Sequence, residues 1–259
     1  MPQDVLGRLL FAAQQDLAAD QVWPAAAAAI EVLWWHDRFS DAQALAEDTI
    51  IRFGSAPGTL FDHDMPFDEA ILIGAAECGE DPRAVLGRVG EHVPADSTLG
   101  KRLTWLRGEL AKDQSAHSLI TGFDADLYSP LPARPLRAAD AELAERDPNS
   151  LSGSEQRRLW GASRRSRQPH IAFALHDAGV EPQDWQMSFW LARQLIKASR
   201  VEEAGAVLLT SLDLWFAEQP WHVTPAGITT QPDMRAAVTP QLRGAVLDRI
   251  DLEAVPGVE

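Results

Sequence analysis

Two amphipathic helices joined by a turn of only two residues are the strongest pattern in the sequence, and they occupy residues 184–216. In each helix, small and apolar residues recur at helical offsets, which builds a single stripe along one side. The stripes consist of Leu191, Ala192, Leu195 and Ile196 in the first helix and of Ala204, Val207, Leu208, Ser211 and Leu212 in the second. Glu202 and Glu203 fall in the first turn of the second helix, where the helix dipole favours acidic side chains. The segment therefore predicts a helical hairpin that turns at residues 199–200.

This hairpin is similar to a tetratricopeptide repeat, whose two helices meet through small and large apolar residues at fixed offsets. With Ala204 aligned to the family's small residue early in the second helix, the other matching positions are Leu191, Ala192, Leu208, Ser211 and Leu214. Ser188 and Phe216 depart from the pattern, because the family prefers a bulky aromatic residue and a proline there. The resemblance covers about one repeat, residues 185–216, and implies an architecture of stacked helix pairs but no particular ligand.

An earlier segment echoes the hairpin and indicates that the architecture repeats. The sequences DRFSDAQAL, residues 37–45, and SRVEEAGAV, residues 199–207, each place an arginine at a turn, an acidic first turn after it, and then an alanine. This echo lies within residues 22–53. Helical periodicity in the rest of the chain predicts an all-α protein of stacked antiparallel helix pairs, a TPR-like α-solenoid built in one or two halves.

A change of composition after residue 113 divides the chain. The periodicity is interrupted there by Pro130, Pro132 and Pro135 and by a polar run that follows them. We predict an N-terminal helical half over 1–113, a proline-rich connection with a short helix over 114–152, and a C-terminal TPR-like half over 153–259.

Local signals predict the ends of several elements. Pro24 is expected in the first turn of the second helix, and Ser40 is expected as the N-cap of the third. Thr239 and the proline after it are expected to cap the last helix. In the run 221–224, apolar and polar side chains alternate, which suggests a short extended strand.

The charge of the chain limits its partners. A formal net charge of -15 and a pI of about 4.8 disfavour nucleic acids and anionic membranes, which repel an acidic surface. The single cysteine, Cys78, excludes an internal disulfide and suits a reducing compartment. The N-terminus lacks the pattern of a signal peptide, and no apolar run reaches the ~20 residues of a membrane span. We therefore expect a cytoplasmic protein, and the scarcity of lysine is typical of a GC-rich bacterial genome.

Adjacent histidine and aspartate residues are the candidate metal ligands. His176-Asp177 follows an apolar run and resembles the metal-binding step of HD-superfamily phosphohydrolases, in which a metal ion would activate water. That family also has an upstream histidine, for which His117 is the nearest candidate. A second cluster at residues 62–64, with Asp68 nearby, lacks EF-hand spacing and equally suits a solvated acidic loop. We predict that the protein has no metal site and no cofactor. The alternative is a metal site with His176 and Asp177 as ligands.

Basic and aromatic side chains supply the candidate partner-binding surface. Arginines concentrate on the helix after residue 153, and guanidinium groups bind carboxylates or phosphates bidentately, although pairing with acids of the same chain is the alternative. If the hairpin packs as its resemblance implies, its first helix turns an apolar anchor and polar groups toward the concave side. The candidates are Gln186, Phe189, Arg193 and Lys197 in the hairpin and Arg164, Arg165 and Arg167 in the preceding helix.

The sequence contains no nucleophile elbow, zinc-protease motif, Walker loop or dinucleotide-binding glycine loop. We therefore expect a non-catalytic module that holds a protein or peptide partner with acidic groups in a helical groove. Two other classes stay open. One is a metal-dependent HD-like phosphohydrolase, and the other is an acidic immunity- or antitoxin-like protein that blocks a basic partner by charge complementarity.

Overall fold

The computed structural model describes residues 2–15, 17–54, 66–112, 133–217 and 219–258, together with Ala116 and Leu119. Within these residues the regular elements are helical and no strand occurs, which confirms the predicted all-α class. Consecutive helices pack against one another along the chain. Among the described helices, none combines the length and the apolar character that crossing a bilayer requires.

The α-helices differ in length, and four short 3₁₀ helices occur among the described residues. The α-helices are α1 (Pro2–Gln14), α2 (Ala19–Trp35), α3 (Phe39–Phe53), α4 (Phe67–Cys78), α5 (Pro82–Gly90), α6 (Thr98–Leu110), α7 (Ala138–Ala144), α8 (Gly153–Ser166), α9 (Pro169–Asp177), α10 (Trp185–Lys197), α11 (Val201–Thr210), α12 (Gly227–Thr230) and α13 (Pro240–Leu247). The 3₁₀ helices are Pro148–Ser150, Leu212–Leu214, Met234–Ala237 and Leu252–Ala254.

The chain divides into two compact units that interrupt one another in sequence. Unit 1 consists of Met1–Phe123, Ala217–Pro232 and Arg243–Glu259, and unit 2 consists of Asp124–Phe216 and Asp233–Leu242. The division predicted from composition assigned all of 153–259 to one half. The tertiary contacts instead place two C-terminal segments in unit 1 with the N-terminal helices. The amino-acid composition of a segment does not show which distant residues it contacts.

Helix α2 forms the centre of unit 1. Every residue from Val22 to Trp35 is buried, and α1, α3 and α4 pack against this helix. A helix that is apolar around its whole circumference belongs in a core. Pro24 lies inside α2 and not in its first turn as predicted, because α2 already begins at Ala19. Burial of both flanks of α2 outweighs the one backbone hydrogen bond that a proline removes.

One buried carboxylate lies in this apolar helix, and it fixes a distant segment of unit 1. Glu31 is only 1% exposed. Its Oε2 accepts hydrogen bonds from the backbone N–H groups of Val223 and Thr224, both at 2.9 Å, and from the Thr224 hydroxyl at 3.2 Å. Its Oε1 lies 3.0 Å from Nδ1 of His222. The run 221–224 is therefore not a strand as suggested above, because its N–H groups serve a carboxylate rather than a neighbouring strand.

The two hairpins that echo one another in sequence turn in the same way. Asp37 and Ser199 have positive φ angles of 56° and 63°. The next residues, Arg38 and Arg200, have φ/ψ angles of −95°/57° and −96°/56°. In both turns the N–H of the arginine donates to the carbonyl oxygen five residues earlier, at 2.9 and 2.8 Å. The sequence echo therefore corresponds to a repeated local structure, while membership of the tetratricopeptide family stays a prediction.

A third junction, between α8 and α9, follows the same rule without the sequence echo. Arg167 has a φ of 54°, and the N–H of Gln168 donates to the carbonyl oxygen of Ser163 at 2.9 Å. In all three hairpins a fully buried alanine lies four residues after the cap, namely Ala42, Ala172 and Ala204. A small residue there lets the second helix approach the first closely.

The turn also decides where α3 begins. Ser40 is not its N-cap, because the backbone conformation of Arg38 makes that residue the cap and α3 starts at Phe39. The side chain of Arg38 instead bonds Asp41 at 2.5 Å. At the last helix, Thr239 does accept a hydrogen bond from the N–H of Leu242, at 3.1 Å, as its sequence position predicts.

We expect Glu31→Ala to lower the free energy of unfolding by about 3 kcal/mol, because it leaves two buried N–H groups without an acceptor. The measurement is urea denaturation followed by tryptophan fluorescence, with Glu91→Ala, which removes an exposed carboxylate of unit 1, as the control. The control should change stability by less than about 0.5 kcal/mol. Equal effects of the two substitutions would show that Glu31 does not hold the 222–224 segment.

Substitutions of Ser199 should change stability in opposite directions. Glycine adopts positive φ without a steric cost, so we expect Ser199→Gly to raise the free energy of unfolding by about 0.5 kcal/mol. Valine is β-branched and strained at positive φ, so Ser199→Val should lower it by about 1–2 kcal/mol. Thermal unfolding of the two variants checks this, and a turn that does not need positive φ would tolerate both equally.

Candidate functional site

The candidate site lies in unit 2, on and beside α8. Ser152 begins this helix with a capping box, in which its hydroxyl accepts from the N–H of Glu155 and the Glu155 carboxylate accepts from the Ser152 N–H at 2.8 Å. The hydrogen bond from the Ser152 N–H is the main reason why the pKa of Glu155 lies below its usual value. Because the capping box fixes the first turn of α8, it also fixes the directions in which the arginines of this helix leave the backbone.

Arg157 and Arg164 lie seven residues apart, on one side of α8, and Arg165 follows them near the end of the helix. Arg157 donates to the side-chain oxygen of Gln183 at 3.4 Å, and Arg164 donates to that of Gln186 at 3.3 Å. Both acceptors are neutral amides, so these two hydrogen bonds orient the guanidinium groups without neutralising them.

A shallow depression lies at the C-terminal end of α8, and we call it the arginine pocket. The residues that line it include Arg134, Arg137 and Arg165. The one carboxylate of the lining, Asp140, is buried and bonds Nε of Arg158 at 2.5 Å. The acid of the pocket therefore has its own cation, and the three lining arginines leave the pocket positively charged.

The backbone holds these three arginines in place. The N–H of Arg134 donates to the carbonyl oxygen of Arg165 at 3.0 Å, which ties the segment before α7 to the end of α8. Pro135 restricts Arg134 to an extended conformation. Arg137 has φ/ψ angles of −70°/146°, which are those of a polyproline II helix. Since that helix has about three residues per turn, Arg134 and Arg137 lie on the same side of the segment.

Of the residues predicted to bind a partner, Phe189 is placed differently from what was expected. Its side chain is only 3% exposed, and its ring packs against that of Trp185 with centroids 6.4 Å apart. The prediction that Phe189 is a surface anchor is wrong, because α10 packs in unit 2 against α8, α9, α11 and the 3₁₀ helix at Met234–Ala237 and buries the residue.

Arg193 is engaged within unit 2. Its guanidinium Nε bonds a carboxylate oxygen of Asp233 at 2.9 Å, and its side chain is 21% exposed. Half-buried and paired, Arg193 connects α10 to the segment that precedes Met234–Ala237. The ion pair with Asp233 explains why an arginine occurs at this position, and no partner protein is needed to explain it.

The remaining predicted partner residues are accessible to different degrees. Gln186, Lys197, Arg165 and Arg167 are exposed, and Arg164 is half-buried. The structure brings Gln186 and Arg164 together through the hydrogen bond given above, and it places Arg165 in the arginine pocket. Lys197, in the last turn of α10, lines no part of that pocket.

His176 and Asp177, the alternative metal ligands, contact the next hairpin of unit 2. Arg200 bonds both Asp177 and Glu203, and Nε2 of His176 lies 3.7 Å from Glu203. The hydrogen bonds that Arg200 donates to Glu203 and Asp177 raise the pKa of Arg200, and the guanidinium in turn lowers the pKa of Glu203. An arginine occupies the place beside these acids that a metal ion would need.

The described part of the chain contains no group of three or more histidine, cysteine or acidic residues that could hold a metal ion. The cluster at 62–64 and His117 lie outside the described residues. Asp68, considered with that cluster, is buried and bonds Arg102. Its pairing is therefore structural.

Sequence reasoning missed Arg134 and Arg137, which it assigned to a proline-rich connection. Their signal is present in the sequence as R-P-L-R, in which a proline stiffens two arginines spaced by three residues. Glu31 was also missed, although a single acid within an apolar helix indicates a buried and satisfied carboxylate.

Comparisons of the chain with protein-family models, with curated proteins and with solved structures find no match. Functional inference therefore depends on the site geometry.

We expect Arg193 and Asp233 to stabilise the fold as a pair. Either substitution, Arg193→Ala or Asp233→Ala, should lower the free energy of unfolding by about 1–2 kcal/mol, and the double variant should lose little more than one of them. Lys197→Ala, which removes an exposed cation on the same helix, is the control and should cost less than about 0.5 kcal/mol. Additive effects in denaturant unfolding would show that the pair is not coupled.

Proposed function

We propose that this chain is a non-catalytic binding module that holds an acidic segment of a protein partner against the arginine pocket of unit 2. The segment contributes carboxylate or other anionic groups, and the guanidinium groups of the pocket donate charge-assisted hydrogen bonds to them. Arg167 and Gln186, which are exposed residues of unit 2, are candidates for further polar contacts.

One observation carries this proposal. The side chains of Arg134, Arg137 and Arg165 make no hydrogen bond or ion pair with the described residues, in a chain whose formal net charge is -15. In an acidic protein, arginines normally find carboxylates of their own chain, as Arg158, Arg193 and Arg200 do here. Three uncompensated guanidinium groups around one depression supply the positive charge that an acidic partner needs.

The two alternative functions have less support. For a phosphohydrolase, His176 and Asp177 would have to release Arg200 and Glu203 before they could bind a metal ion. For a protein that blocks a basic partner, the acidic surface is the required feature, but no described cluster of acids singles out a site. Both stay expectations from the sequence.

The test uses a short, fluorescently labelled peptide rich in glutamate and aspartate, with binding measured by anisotropy. We expect binding that weakens as salt is added, because exposed charge pairs are screened. The double substitution Arg134→Glu/Arg165→Glu should weaken binding by at least about tenfold.

The matched control is Arg83→Glu/Arg107→Glu, which makes the same change of net charge on exposed arginines of unit 1. This control should retain most of the affinity, and a lysine-rich peptide should not bind through the pocket. Equal loss in both double variants would mean that net charge alone attracts the peptide, and the site would be rejected.

A further inference from the structure

We propose that the arginine pocket recognises a single phosphate group, so that the partner's acidic segment is phosphorylated on the side chain that enters the pocket. This inference rests on the proposed function and names the chemistry of its central contact. It is carried by the number, spacing and support of the three lining arginines.

The balance of donors and charges favours phosphate over carboxylate. Three arginines are among the residues that line one depression, and each arginine carries several N–H donors in a planar fork. A carboxylate brings a charge of −1 and two oxygens, whereas a phosphorylated side chain brings about −1.5 to −2 and three strong acceptor oxygens. Arginine clusters around one concave point are the usual way in which proteins bind a phosphorylated side chain.

The one acid of the pocket does not oppose an anion. Asp140 is buried, and the 2.5 Å bond from Arg158 supplies it with a cation outside the three that line the pocket. A fourth arginine is thus used to neutralise the acid, and the lining keeps the full positive charge of Arg134, Arg137 and Arg165.

The pocket is also organised before any ligand arrives. The hydrogen bond between the Arg134 N–H and the Arg165 carbonyl holds the two sides of the pocket together, and Pro135 limits the motion of the segment. On α8, a Cβ added to Gly161 would lie 2.8 Å from a guanidinium nitrogen of Arg165. The absence of a side chain at Gly161 therefore leaves room for the Arg165 guanidinium beside the helix. A backbone that already holds the arginines near one another lowers the conformational cost when an anion binds.

A phosphorylated peptide fits these observations better than a phospholipid headgroup does. An anionic membrane repels the chain's net charge of -15 over a wide area, and three arginines offer only a small local attraction against it. A peptide presents one phosphate to the pocket without bringing a charged plane close to the rest of the surface.

The experiment varies the ligand and leaves the protein unchanged. Three labelled acidic peptides differ at one central position, which is serine, glutamate or phosphoserine, and anisotropy gives the affinity of each for the full chain. We expect the phosphoserine peptide to bind at least about tenfold more tightly than the glutamate peptide. Its advantage should fall as the pH is lowered through about 6, where a phosphate dianion takes up a proton, while binding of the glutamate peptide holds to lower pH.

Substitution then locates the effect. In Arg134→Gln/Arg165→Gln the preference for phosphoserine should disappear, whereas Arg83→Gln/Arg107→Gln in unit 1 should keep it. A preference that survives the first double variant would overturn the assignment to this pocket. Sedimentation of the protein with phosphoinositide-containing vesicles, lost in the same variant, would overturn the peptide assignment in favour of a lipid.

The failures of the two proposals are distinguishable. Equal binding of the glutamate and phosphoserine peptides contradicts phosphate recognition and leaves acidic-peptide binding in place. No binding of any of the three peptides contradicts the proposed function itself.

Discussion

The hairpins of this protein depend on single residues held in the left-handed region of backbone space. Asp37, Arg167 and Ser199 each carry a positive φ angle without being glycine. Such a residue reverses the chain within two positions and lets the next N–H close onto the end of the first helix. The second helix then starts in a fixed direction, and a buried alanine one turn later lets it lie close to the first. The close packing of these three helix pairs follows from this local geometry.

What could be predicted from the sequence is what depends on neighbours in the chain. The hairpin around residues 199–200 and its echo at 37–38 were visible because apolar periodicity and turn residues act over a few positions. The buried state of Phe189 was not visible, because it depends on α8, α9 and a 3₁₀ helix at Met234–Ala237 that pack around α10. Periodicity shows that a helix has an apolar side, but not how many neighbours cover it.

The site was predictable in part for the same reason. The arginines of α8 were recognised as a cluster, yet the pocket forms only when Arg134 and Arg137 are brought against the end of that helix by a backbone hydrogen bond. Conversely, Arg193 had the sequence context of a surface cation but meets Asp233, 40 residues further along the chain. Pairing between distant residues decides which arginines remain available, and no local pattern encodes it.

The bonds of Glu31 impose an order on the maturation of the chain. Its backbone partner Val223 is 192 residues away, and most of unit 2 lies between them in sequence. During synthesis, α2 therefore emerges with a carboxylate whose partners are absent until residues 222–224 have been made. A fragment cut within the proline-rich segment would keep α2 but lose the groups that donate hydrogen bonds to Glu31. Unit 2, in contrast, occurs almost entirely within one continuous stretch of sequence. Closing so long a loop costs conformational entropy, so the last step in building unit 1 is expected to be slow.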